Sequence, residues 1–282
     1  MWSWMEVFRM IKKSILVLSL LFIGVFVFSH LLNSGVRAKN ESSNKHDVVQ
    51  VRKEKESQIE IKQEKDKKRV EEEAQGKKVI YLTFDDGPSK YTQEVLNILK
   101  QENIKATFFV IGSHAEQFQS LIKSEKQYGH YVGLHSMTHD YRKLYTQGNF
   151  LSEMKEVQQI LQRVIHENPM LCRPPYGSKP GLTQDLRNQV AEAGLKIWDW
   201  TIDSLDWKYN KVPLEESVPK IVENVISQAN NDKEIVLMHD IHPQSIKALP
   251  EIIKQLKIKG YIFRAYSEKE HMPLNFWHDN RL

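Results

Sequence analysis

Cysteine is all but missing from this 282-residue chain: Cys172 stands alone. No disulfide can form within the chain, so any folded part relies on its own core, and a lone cysteine reads as a small buried hydrophobe. Formal charge is missing from residues 14 to 36, where Ile15 to Phe28 is almost solidly apolar. An uncharged span of that length can cross a bilayer as a helix, and Arg9, Lys12 and Lys13 ahead of it predict a cytoplasmic N-terminus. Val36-Arg37-Ala38 offers the alternative of a cleaved signal peptide; both readings export the remainder of the chain. Proline is missing from residues 37 to 78, which hold one glycine and no sustained apolar stripe. Their dense, mixed Lys, Arg, Glu and Asp predict a solvated stalk. A basic excess is missing from residues 79 to 282, with 24 basic against 25 acidic residues in a chain of net charge +4. That balance excludes a nucleic-acid footprint on the folded part. The expected organisation is therefore a tip and transmembrane anchor over 1–36, an extracellular stalk over 37–78 and one domain over 79–282.

What the domain does have is alternation. Short β-branched or aromatic runs predict strands near Val79–Phe84, Ala106–Ile111, Tyr131–His135, Met170–Arg173, Lys196–Thr201, Glu234–His239 and Tyr261–Tyr266. Amphipathic stretches between them predict helices near Thr92–Glu102, Ala115–Gln127, Phe150–Glu167, Thr183–Ala193, Leu214–Asn230 and Pro243–Lys257. Strands alternating with helices imply an α/β fold on a parallel sheet, either a barrel or a doubly wound sheet.

The unusual polar residues fall at strand ends on that map. Asp85 and Asp86 end the first strand, and His135 and His139 follow the third. Arg173 with Pro174-Pro175-Tyr176-Gly177 ends the fourth, Asp203 and Asp206-Trp207 follow the fifth, and His239-Asp240 ends the sixth. In a barrel of parallel strands those ends form one face, the face on which active sites are built. Two adjacent carboxylates repel unless a cation or proton relieves them. Two imidazoles four residues apart can aim at one point, and with one carboxylate from the Asp85/Asp86 pair they make a metal set with open positions, catalytic in type. Arg173 cannot lose its charge and would hold a nearby carboxylate ionised as a general base. His239 can protonate a leaving group if a carboxylate such as Asp206 fixes its tautomer. His114, His130, His166, His271 and His278 are expected at the surface or at caps, whereas His242 stands close enough to His239 to border a groove.

In order and spacing, Thr83–Pro88, His135–His139, Arg173–Gly177, Asp203–Trp207 and Leu237-Met238-His239 resemble the five motifs of the polysaccharide deacetylases, the NodB homology group or carbohydrate esterase family 4. The resemblance covers about residues 79 to 266. It implies a distorted (β/α)7 barrel that removes acetyl groups from amino sugars or, less often, from xylan. It further implies that Asp86, His135 and His139 bind a divalent metal, zinc by ligand type, with cobalt fitting the same set. Asp85 would be the general base oriented by Arg173, and His239 the general acid tethered by Asp206. The backbone N–H of Tyr176 would help bind the oxyanion, while Trp207 and Leu237 would line the pocket for the acetyl methyl. The anchor and stalk point to a substrate in the producing cell's own envelope: peptidoglycan first, then the acetylated linkage sugar of a wall-attached polysaccharide. From another class stands a catalytically silent glycan-binding module, which a missing base or ligand would signal; none is missing. A monomer is expected.

Overall fold

The computed structural model describes residues 78–282; the expected anchor and nearly all of the expected stalk lie outside the described residues. No helix among the described residues is long and apolar enough to cross a membrane. Strand β1 (Lys78–Asp85) is the axis of the sheet. It runs parallel to β7 (Lys233–His239) from Val79↔Lys233 to Asp85↔His239. Its other edge is shared, first by β8 (Tyr261–Phe263) opposite Lys78–Ile80 and then by β2 (Thr107–Val110) opposite Thr83–Asp85. Beyond β2 follow β3 (Tyr131–Leu134), β4 (Leu171–Cys172) and β5 (Lys196–Ile197); beyond β7 lies β6 (Ile202–Asp203). Every pairing is parallel, giving a curled half-barrel.

The single fifth strand expected over Lys196–Thr201 is a break instead. Trp198 N–H still bonds Cys172 O on the β4 side, whereas Thr201 N–H bonds Ile235 O on the β7 side. One short segment thus serves both open edges of the sheet and cannot ladder with itself. The C-terminal tail fills the seam: Trp198 bridges to Leu274, and Asp199 N–H bonds Leu274 O.

Helices α1 (Thr92–Gln101), α2 (Gly112–Gln117), α3 (Gln119–Gln127), α4 (Phe150–Ile165), α5 (Gln184–Glu192), α6 (Leu214–Gln228) and α7 (Pro243–Ile258) follow the strands. The one long helix expected over Ala115–Gln127 is split at Phe118, whose ψ of 43° leaves the helical well. Strand alternation then sorts β1 into two cores. Ile80, Leu82 and Phe84 face the helices in the larger cluster, while Val79 and Tyr81 face inward with Phe109, Leu171, Trp198, Ile235 and Tyr266. Tyr131 ends in that inner core, its ring 4.8 Å from Tyr266 and its hydroxyl donating to Glu268. The same inward alternation carries Thr83 and Asp85 to the upper end of the barrel interior, so apolar packing below fixes the height of the polar groups above.

Candidate active site

The five polar clusters do converge at the C-terminal ends of the strands. Of the eight non-glycine residues with positive φ among the described residues, five lie in these motifs: Asp86 (70°), Ser136 (67°), His139 (54°), Tyr176 (66°) and Leu205 (56°). Backbone held in this sparsely populated region persists only where surroundings over-determine it, and it concentrates at functional sites.

The turn after β1 separates the two aspartates. Asp85 keeps strand geometry and points inward, where the fully buried Arg173 reaches it: Nη1 lies 2.9 Å from Asp85 Oδ1. The same Nη1 donates to Thr83 Oγ1 (2.5 Å), Nε to Trp198 O (3.0 Å) and Nη2 to Asp199 O (2.9 Å), and Phe109 stacks 4.3 Å from the guanidinium carbon. Burial lowers the guanidinium pKa from its ordinary value, with the charge of Asp85 opposing. Each of its three nitrogens donates to a fixed acceptor, which pins Asp85.

Asp86 turns the other way, toward the histidines. His135 Nε2 and His139 Nε2 lie 3.3 and 3.4 Å from Asp86 Oδ1, an oxygen that is buried and has no hydrogen-bond partner. Burial alone would raise the pKa of Asp86, but the imidazoles beside it, His135 first and then His239 and His139, hold it far below the usual carboxylate range. Ligand atoms of Asp86, His135 and His139 all lie within 4.8 Å of one another. His135 Nδ1–H donates to Arg173 O (2.8 Å), which leaves the Nε2 lone pair facing Asp86. A carboxylate and two imidazoles with an orphaned oxygen between them, one imidazole fixed from behind, are a donor set that fits a divalent cation.

The His135–His139 segment is a tight loop rather than a helical turn. Ser136 Oγ accepts from His139 N–H at 3.0 Å, and buried Glu153 of α4 accepts from both Met137 N–H and Thr138 N–H at 3.0 Å. Across the mouth, Asp206 is fully buried and its Oδ1 lies 2.7 Å from His239 Nδ1. Asp206 Oδ2 accepts from His239 N–H (2.8 Å) and Ser245 Oγ (2.5 Å). Burial pushes the His239 imidazole down, but the Asp206 carboxylate outweighs it and lifts the pKa to about 10. Nε2 faces the cation set, 4.0 Å from Asp86 Oδ2. Leu237 is buried and Trp207 is 48% exposed at the rim. His242 ends up beside His239, ring centres 5.7 Å apart.

Several contributors carry no sequence signal. Glu153 reads as one more helical acid. Asp199 is fully buried and accepts from Ser178 N–H (2.8 Å), Ser178 Oγ (2.5 Å) and Phe276 N–H (2.6 Å), tying the loop after Arg173 to the tail. Asp240, by contrast expected beside His239 at the strand end, is fully buried against Thr92 Oγ1 and Gly87, and burial raises its pKa to about 7. Two histidine expectations need correction. His130 is buried, its Nδ1 accepting Ala106 N–H at 3.1 Å, because the strand end at Ala106 needs an acceptor there. His114 is no bystander either, since its Nδ1–H donates to Asp86 O at 2.8 Å. The tail His271–Leu282 fills the seam and backs the Tyr176 loop at once: Trp277 Nε1 donates to Ser178 O (2.9 Å) while Phe276 lies against Gly177.

A pinned carboxylate, a cation-type ligand set and a carboxylate-backed imidazole around one mouth define a hydrolase. Similarity to known proteins says which kind. A family model described as polysaccharide deacetylase matches residues 72–198. A peptidoglycan-N-acetylglucosamine deacetylase of Bacillus cereus is 57% identical over 206 residues, 73% of this chain and 76% of that protein. The putative polysaccharide deacetylase YheN of Bacillus subtilis is 41% identical over 189 residues, 67% of each chain. The crystal structure of a Bacillus cereus polysaccharide deacetylase superposes with a TM-score of 0.72 at 57% identity, covering 73% of this chain and all of that one. The chain belongs to the polysaccharide deacetylase family, carbohydrate esterase family 4, and is a hydrolase acting on amide bonds.

Proposed function

We propose that this protein hydrolyses the N-acetyl group of GlcNAc residues in peptidoglycan of its own cell envelope, giving glucosamine units and acetate. The observation that carries the reading is the division of labour between Asp85, pinned by Arg173, and Asp86, facing His135 and His139. The 57% identity to a peptidoglycan-N-acetylglucosamine deacetylase supports the acceptor. The expected anchor over 1–36 and stalk over 37–78 would hold the domain outside the membrane, near that acceptor.

Asp86, His135 and His139 would hold the cation, zinc by ligand type. A divalent ion there supplies Lewis acidity, polarising the acetyl carbonyl and making nearby water a better nucleophile. Asp85, held still by Arg173, takes the proton from the attacking water. The water oxygen bonds to the acetyl carbon, and charge develops on the former carbonyl oxygen. The strained Tyr176 turn, closed by Gly177 N–H on Pro174 O at 2.9 Å, supports a role for the Tyr176 amide as donor to that oxygen. Loss of one such donor typically costs about 3 kcal/mol of transition-state stabilisation. His239, kept protonated by Asp206, gives its Nε2 proton to the nitrogen as the carbon–nitrogen bond breaks. Leu237 and Trp207 would bound the acetyl methyl.

The test is acetate release by the purified, zinc-loaded full-length chain. Peptidoglycan, wall polysaccharide carrying its linkage sugar, and chitin oligomers are offered in parallel, with Asp85→Asn as control. Release from peptidoglycan, absent in the control at unchanged zinc content, is expected. Release only from the linkage-sugar substrate would move the acceptor, and release from none with zinc bound would favour a glycan-binding module.

A further inference from the structure

Among the described residues only five large hydrophobic side chains are exposed: Tyr141, Tyr176, Trp207, Leu214 and Ile258. Three of the five are aromatic rings on segments that carry the active site. Scattered exposed apolar residues need no explanation, but a cluster at one mouth does. The expected site accounts for Tyr176 and Trp207. Tyr141 is left over.

Tyr141 lies two residues beyond His139, at the start of a π-helical turn over Arg142–Thr146. Asp140 Oδ1 accepts Lys143 N–H at 3.0 Å and steadies that turn. Its ring is 44% exposed yet not loose: it sits edge-on to Tyr145 at 4.9 Å and to Tyr176 at 5.7 Å. Both neighbours are anchored, Tyr145 by its hydroxyl on Pro175 O (2.7 Å) and Tyr176 by its hydroxyl on His139 O (2.9 Å). Tyr176 in turn packs 4.6 Å from the His139 ring. A continuous aromatic wall therefore runs outward from a proposed cation ligand, and Tyr141 is its outermost ring. A rigid Tyr presents a large amphipathic face at small conformational-entropy cost, which suits a face of sugar C–H groups rimmed by hydroxyls.

We infer that Tyr141 forms a binding subsite for the neighbouring sugar of a β-linked amino-sugar chain, next to the residue that is deacetylated, on the His139 side of the mouth. The inference rests on the proposed reading of the site. It makes the site favour a chain over a single sugar, because only a substrate with a second residue lies over Tyr141 while the first is in the reaction position.

The experiment compares the zinc-loaded full chain with Tyr141→Ala, Tyr141→Phe and Tyr141→Trp on monomeric N-acetylglucosamine and on chitin oligomers of two, four and six residues. Tyr141→Ala should raise KM for the oligomers about tenfold, with kcat little changed, and leave the monosaccharide unaffected. Tyr141→Phe and Tyr141→Trp should restore most of the loss. An equal effect on all lengths, a fall in kcat alone, or no effect overturns the subsite. Calorimetric binding of the hexamer to Asp85→Asn, with and without Tyr141→Ala, reads the subsite without turnover. Weaker binding of the double variant would support the subsite even if no acetate is ever released, and equal binding would overturn it.

Discussion

Arg173→Lys is the substitution that tests the site most directly, because it keeps the charge and removes the geometry. The guanidinium spreads three nitrogens over four acceptors: Asp85 Oδ1, Thr83 Oγ1, Trp198 O and Asp199 O. An ammonium placed where Nη1 sits reaches the first two and leaves two buried carbonyls without donors. Each costs about 1–3 kcal/mol, so the fold should lose about 2–6 kcal/mol, a large part of the usual margin for a domain. Catalysis should suffer separately, because Lys lacks the planar fork that fixes Asp85. A displacement of about 1 Å in a reacting group can cost about a hundredfold, which is the expected fall in kcat. Urea denaturation gives the first number and acetate release the second, with zinc content measured to show that the Asp86–His135–His139 set is intact. A variant with an unchanged midpoint and kcat within about threefold of the parent would refute the idea that the Arg173 fork orients the base. Arg173→Met is the harsher companion: it strands a buried carboxylate and should cost about 3–5 kcal/mol.

Gly87→Ala should be poorly tolerated, since the new methyl would press into both carboxylate oxygens of Asp240, which are themselves held by burial and Thr92; a lowered midpoint with reduced zinc affinity is expected, and combining it with Asp240→Ala should recover part of both. Asp199→Asn keeps the shape but loses acceptors for Ser178 Oγ and Phe276 N–H; kcat should fall about tenfold with little change in KM, as for a group that positions the Tyr176 loop without touching substrate. His130 makes acid stability measurable. Burial, assisted by the charge of Lys105, pushes its imidazole down to about 3, whereas the unfolded chain titrates near 6.5. The unfolded state therefore takes up a proton that the folded state refuses, so this contribution is complete above about pH 6.5 and is lost as pH falls toward 3. The slope is about 1.4 kcal/mol per pH unit. His130→Gln should show a shallower fall between pH 6 and 4 in the same denaturation series, and an identical slope would remove His130 from the account.

Local signals reached some features and stopped short of others. Cys172 is fully buried, as a cysteine without a partner should be. Alternation located nearly every element, because inner and outer faces of β1 differ in partner and the helices carry apolar stripes. It failed at Lys196–Thr201, where β-branched and aromatic composition is continuous but the hydrogen-bond partner changes midway from β4 to β7. No local pattern records a change of partner. It failed again at Phe118, where periodicity continues across a break in the helix.

Residue types, their order and their places at strand ends were determined by the sequence alone: two carboxylates, two imidazoles, an arginine and a carboxylate–imidazole pair, each following a parallel strand. Which aspartate meets which partners was decided only in three dimensions. Asp85 continues the inward alternation of β1 and meets Arg173 from 88 positions away, whereas the φ of 70° at Asp86 turns the next carboxylate to the histidines. Glu153, Asp199, His114 and His130 took their roles the same way, from whichever unpaired donor or acceptor the packed chain brought within 3.1 Å. Hydrogen-bond satisfaction in a buried site is a property of distances between remote segments, and those distances exist only once the sheet has curled around its inner core.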